Sequence, residues 1–469
     1  MSGRGSPAGA ALASARRSNG TTLVRRIAGQ AWPVLIGQWA SIGFGVADTI
    51  MVGHSSAQDL AAVALGSSIY ASVFVGLMGV VLALSPIIGQ HYGGQRHAAI
   101  GKTYMQGLWL AVWLTLVGDL AMGFPDVWLV MSAVDHGVTV RIGDYLRALM
   151  FALPAALVFR TVYALNVAVS RPKVTMAINL IGLAIKIPLN YVLVYGKFGL
   201  PALGAAGCGY ATAIVMWSSC GIALFALSKD PFYRKFTIRF DWPRWVHQRE
   251  LLRLGIPTGL SYIVEVTSFT FMTLLVARLG TTVTAGHQIV ANLAALCFML
   301  PLSLAVATSA LVAQAIGAGD PGGARRTTRA GLRLATGIAL VVSSALWFGR
   351  DFVIGLYSDD AAVRQVALSL IAFVAIFHFF DAVQGMSGFI LRAYKHTVAP
   401  MVVYTVSLWG IGLLGGWWIA FHPVIGGTPL GAQGLWGAAT FSLGLAAVVL
   451  ALWMVRVSRN PSGRPARGG

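Results

Sequence analysis

Stretches of about 20 apolar residues, nearly free of charge, follow one another through this chain, and about 20 residues is what a helix needs to cross the hydrocarbon core of a bilayer. LIGQWASIGFGVADTIMV, SLIAFVAIFHFFDAVQGMSGFI and GAATFSLGLAAVVLALWMV are examples. None alternates with the two-residue period of a porin strand, which would also end after about ten residues. Only 10% of the chain is charged and 57% is hydrophobic, whereas soluble domains carry roughly a quarter charged residues. The expected fold is an all-α polytopic membrane protein with spans near 28–50, 61–88, 104–124, 148–169, 174–195, 204–227, 251–277, 285–312, 330–348, 366–391, 398–420 and 432–455.

The formal net charge of +19 invites a search for nucleic acid, but the placement of the charges argues otherwise. Of the 34 Lys and Arg, 26 fall in the two tails and alternate loops, seven of them between Lys229 and Arg253. The same set includes Arg392 and Lys395. The opposite loops hold Arg141, Arg147, Lys197, Arg278, Arg350 and Arg364, together with seven of the 15 acids, including Asp59, Asp126, Asp135 and Asp351. Basic loops stay in the cytoplasm. This bias places both termini there and makes the charge a topology signal. The first 27 residues lack the apolar core of a signal peptide. Cys208, Cys220 and Cys297 lie within spans without CxxC spacing, so neither a disulfide framework nor a zinc site is expected.

The chain repeats itself at an offset of 224: Pro33 meets Pro257, Thr49 meets Thr273, Gln90 meets Gln314 and Gly93 meets Gly317. IIGQHYGG is mirrored by LVAQAIGA, and LGAAG at 203–207 by LGAQG at 430–434. The expected organisation is a disordered cytoplasmic tail at 1–27, a six-span lobe at 28–227, a basic cytoplasmic linker at 228–250, a second six-span lobe at 251–455 and a tail at 456–469. Parallel repeats of this kind build transporters that hold substrate between the halves and rock them for alternating access.

Three acids interrupt the apolar runs: Asp48, Glu265 and Asp381. A carboxylate at the bilayer centre costs at least about 2.5–3.5 kcal/mol, so such groups normally face a cavity and meet an ion, a proton or a cationic substrate. Ser261 and Ser268 flank Glu265 at helical spacing, and His378 and Gln384 flank Asp381. If the two carboxylates of the second half share a pocket, the pair can hold a proton at neutral pH or hold Na⁺ instead. Arg160 and Lys186 are cations within spans of the first half, where Asp48 is the deep acid, so one or the other is expected to pair with it. No GxxxxGK[ST] loop is present, nor HExxH, nor a recognisable nucleophile–base arrangement, so neither an ATPase nor a hydrolase is indicated.

The run PVLIGQ…ADTIMVG…LAAVALGSS…PIIGQHYGG, with KIPLNYVLVYGKFG, GCGYATAIV, GHQIVAN and FFDAVQ, resembles the multidrug and toxic compound extrusion (MATE) transporters, especially the bacterial NorM-type branch, from about residue 25 to 455. The resemblance implies a V-shaped monomer of twelve helices. It implies export of cationic or amphipathic drugs or metabolites in exchange for Na⁺ or H⁺, with no further cofactor, no enzymatic activity and no nucleic acid. The family's coupling acids fall on Asp48, Glu265 and Asp381. Its supporting polar positions fall on Asn190, Thr212, Gln288 and Asn292. The departure is Lys186, where relatives often carry Asn: an ammonium there takes the place of a bound cation and leaves Glu265 and Asp381 as the possible Na⁺ site. A flippase for lipid-linked precursors would need a cavity lined by cations, and a membrane-embedded transferase or receptor would need neither paired carboxylates nor two lobes.

Overall fold

The computed structural model describes residues 20–124, 128, 136–423 and 427–459. Asp126, Asp135 and the two ends of the chain, expected as outer-loop acids and tails, lie outside them. Among the described residues twelve helices are long and apolar enough to cross a membrane, and there is no strand. We label them α1 (Gly20–Gly53), α2 (Ala57–Gly93), α3 (His97–Met122), α4 (His136–Ala168), α5 (Pro172–Tyr195), α6 (Gly204–Lys229), α7 (Trp245–Ala277), α8 (Thr281–Gly317), α9 (Pro321–Phe348), α10 (Ala361–Ala393), α11 (Val398–Phe421) and α12 (Gly431–Arg459). The chain is a multi-pass membrane protein. Two short helices, Pro231–Arg234 and Arg350–Gly355, sit in connections. The centre of α11, Thr405–Gly415, winds in the wider i→i+5 pattern.

Several helices begin earlier than the sequence expectation, α4 at His136 rather than 148 and α9 at Pro321 rather than 330. Residues 20–27, expected as tail, are the first turns of α1. Arg25 and Arg26 give this segment the look of a tail, yet both project outward while Leu23, Ile27 and Ala31, four apart on one face, are buried. They are buried in the apolar cluster of the second half. Leu251 and Leu254, in the first turns of α7, are buried in turn in a cluster of the first half. Ile27 and Leu251 are partners at the repeat offset, so each half receives the opening turns of the other's first helix. At the other end of the chain α12 continues to Arg459.

The linker is also shorter than expected. α6 runs to Lys229 and α7 starts at Trp245, and what lies between is packed rather than loose. Phe236 is fully buried among Tyr92, His97, Phe232 and Tyr233. Tyr233 Oη donates to Asn166 Oδ1 at 2.6 Å, and Gln106 on α3 donates to Trp242 O at 2.9 Å while accepting from the Arg244 backbone N–H at 2.9 Å. The Phe232 N–H and the Arg171 guanidinium hold the Asp230 carboxyl below the usual carboxylate range. Phe236→Ala is expected to cost about 3–5 kcal/mol, the range for emptying a buried aromatic site. A thermal melt in detergent checks this, and an unshifted midpoint would show that the linker carries no structural weight.

The halves meet from mid-span to the end bearing the basic loops. At Gly79 a β-carbon would stand 2.7 Å from the Gly259 Cα, and at Gly255 it would stand 2.6 Å from the Val80 carbonyl oxygen. Small residues let helix backbones approach closely, which is how helices associate in a lipid solvent that gives no hydrophobic driving force between them. Further along, a β-carbon on Gly93 would collide with the Gln314 carbonyl, and one on Gly317 with that of Gln90. The repeated IIGQHYGG and LVAQAIGA segments therefore face one another across the seam.

Candidate functional site

In the first half, α1 supplies Asp48, α5 supplies Lys186 and Asn190 one turn apart, and α6 supplies Thr212. Lys186 Nζ lies 2.9 Å from Asp48 Oδ1 and donates to Thr212 Oγ1 at 2.6 Å. Asn190 Nδ2 donates to the same Asp48 oxygen at 2.7 Å, and the Thr212 hydroxyl donates in turn to the Cys208 carbonyl at 2.8 Å. Lys186 and Asn190 are fully buried and Asp48 is 7% exposed. Of the two cations expected to pair with Asp48, Lys186 does so. Arg160 lies over the rings of Phe74 and Tyr163, at 5.7 and 5.4 Å. An ion pair this buried is held by mutual dependence, because either partner alone would be an uncompensated charge.

The second half is built differently. Asp381 on α10 is 6% exposed and accepts from Gln384 Nε2 at 3.4 Å, one turn along the same helix. Glu265 lies on α7, within electrostatic range of Asp381. No ion pair among the described residues involves either carboxylate. The Gln384 Oε1 is buried without a partner. This is an acidic pocket with no direct ion pair among the described residues and with an unmet acceptor.

The flanking residues divide. Ser261 is buried and its hydroxyl donates to the Pro257 carbonyl at 2.7 Å, so it is occupied within its own helix. Ser268 lines a small cavity with Phe269 and Phe377. His378 is buried with neither ring nitrogen partnered. Gln288 and Asn292, expected beside the second-half acids, are exposed on α8. The same HQIVAN segment instead buries His287. Trp436 Nε1 donates to His287 Nδ1 at 3.1 Å, which leaves the ring proton on Nε2, 3.1 Å from Thr273 Oγ1. Both nitrogens are thereby engaged in structure.

Arg392, expected among the loop cations, is in fact buried at the end of α10. Its Nη1 donates to Tyr262 Oη at 3.0 Å, and the guanidinium stacks over Tyr262 and Phe389 at 4.8 and 4.5 Å. It lies within electrostatic range of Glu265. The signal was available in the spacing: Arg392 follows Asp381 by eleven residues, about three helical turns, which returns it to the same face.

Comparison with known proteins agrees with this geometry. The family model described as MatE matches residues 33–192 and again 257–418, two matches that start at the repeat offset. The chain is 44% identical to "Probable multidrug resistance protein NorM" of Aromatoleum aromaticum over 93% of its own length and 94% of the relative's. It is 35% identical to "Multidrug resistance protein PmpM" of Pseudomonas aeruginosa over 91% and 90%. Among solved structures, the MATE transporter NorM-NG, in a complex that includes a monobody, superposes with a TM-score of 0.78 at 31% identity, covering 94% of this chain and 96% of that one. The eukaryotic MATE transporter AtDTX14 shares the fold at a TM-score of 0.85 and 21% identity, over 94% of this chain and 100% of that one. The repeat, the twelve spans and these matches together place the chain in the MatE family.

Proposed function

We propose that this protein exports drugs or metabolites, most of them cationic or amphipathic, in exchange for Na⁺ or H⁺, by alternating access between its two halves. The observation that carries this reading is the contrast between the two acidic sites. Asp48 is neutralised from within by Lys186, whereas neither Glu265 nor Asp381 is in an ion pair among the described residues, and Arg392, the buried cation in electrostatic range of Glu265, is hydrogen-bonded to Tyr262. A carboxylate free of a direct ion pair can exchange a proton or Na⁺ for a cationic substrate more readily than one held by an internal ammonium. The names of the bacterial relatives support drugs as the substrate class. The charge bias supports an orientation in the bacterial inner membrane with the basic end and both termini in the cytoplasm.

The test is export of a cationic dye from cells or everted vesicles under imposed Na⁺ or H⁺ gradients. Export is expected to follow one of the two gradients and to collapse when that gradient is dissipated. Export indifferent to both would overturn the exchange.

A further inference from the structure

The repeated glutamines of the seam bind the two halves to each other, each through the opposite half. Gln90 Nε2, in the first half, donates to the Ala393 carbonyl at 2.9 Å, and Gln314 Nε2, in the second, donates to the Ala168 carbonyl at 2.7 Å. Gln90 and Gln314 are 224 apart, and Ala168 and Ala393 are 225 apart. Each alanine is the last residue of its helix, α4 or α10, and each is fully buried. The last carbonyls of a helix have no partner within it. The opposite half therefore completes the end of each helix, and separation of the halves strips both carbonyls of their donors.

We propose that Gln90 and Gln314 form a reciprocal latch that holds the halves together at their basic end and releases once in each transport cycle. This rests on the alternating-access reading above. Three observations fit a releasable contact. The donors are neutral amides, so each bond is modest in net terms and water can replace it when the halves part. The approach of the backbones depends on Gly93 and Gly317, where a β-carbon would meet the carbonyl of the facing glutamine. The latch also stands apart from Glu265 and Asp381, so it can respond to their loading without touching the ion. The two sides are not equal. Gln314 Nε2 also reaches Ser170 Oγ at 2.8 Å, which Gln30 Nε2 engages at 2.8 Å as well. At the corresponding position Lys395 pairs with Glu250 at 2.8 Å instead. Gln314 is thus the stronger side.

The test places spin labels on Ala98→Cys and Ala318→Cys, exposed positions flanking the seam, in a Cys297→Ser background. Distances are measured in liposomes by pulsed electron paramagnetic resonance, without drug or gradient. Gln90→Met and Gln314→Met keep the side-chain volume and remove the donor. Each is expected to raise the ratio of long-distance to short-distance forms roughly two- to tenfold, Gln314→Met more than Gln90→Met, and the double variant most. Gln90→Asn and Gln314→Asn, one methylene short, replace any Met variant that fails to insert. Distributions that superimpose on the parent in all variants would overturn the latch. That result would leave efflux untouched, and loss of gradient-driven efflux in the parent would overturn the functional reading while leaving these distances unaffected.

Discussion

Glu265→Gln and Asp381→Asn, each alone, are expected to abolish gradient-driven dye export while the protein still inserts and folds. Both substitutions keep the shape of the side chain and remove its ability to carry negative charge. With one carboxylate gone, the pocket can no longer exchange a cation for the substrate, and the gradient loses its point of entry. The driving energy at stake is substantial: one charge moving through about 100 mV yields about 2.3 kcal/mol, enough for a substrate gradient on the order of fifty-fold. Everted vesicles with a cationic dye, and a thermal melt on the purified variants, separate lost coupling from lost folding. Gradient-dependent export surviving in either variant at the parent rate would mean that the coupling ion binds elsewhere.

The second large effect falls on stability. Lys186→Met leaves Asp48, 7% exposed, without its ammonium, and breaking a buried pair from one side costs about 3–5 kcal/mol. Asp48→Asn together with Lys186→Met removes both charges and should recover most of that loss, because an uncharged pair has no desolvation to offset. Asn190 and Thr212, which hydrogen-bond to Asp48 and Lys186 in the parent, remain to satisfy the amide. A double variant no more stable than Lys186→Met would show that the two charges do not depend on each other. Lys186→Asn supplies a functional arm: with the internal ammonium gone, Asp48 is open to a free cation, and the ion dependence of export should change. An unchanged dependence would remove Asp48 from any coupling role.

The spans were legible because a bilayer imposes a length and a polarity on every segment that crosses it. The two-fold repeat was legible because Pro33, Gln90 and Gly93 recur at one offset. The pairing at Asp48 was half legible: the sequence narrowed the partner to Arg160 or Lys186, and packing alone decided, since Arg160 lies against aromatic rings. Spacing on a helix says which residues share a face, not what that face meets. Gln288 and Asn292 share one that proves exposed, while the neighbouring His287 is enclosed by Trp436. Arg392 was hidden by position, because a cation near the end of a span reads as a loop residue until the fold buries it. The opening turns of α1 were hidden by composition, where two arginines masked an apolar stripe of every fourth residue.

That stripe bears on what the two halves are. Ile27 is rooted in the second half and Leu251 in the first, so the halves are interleaved and neither owns a complete interior. A cut through the connection at 230–244 would not release two independent modules. Each fragment would carry an apolar stub with nowhere of its own to bury it and a bed waiting for the other's. The repeat in the chain is thus one of mutual completion, in which each half supplies part of the interior of the other.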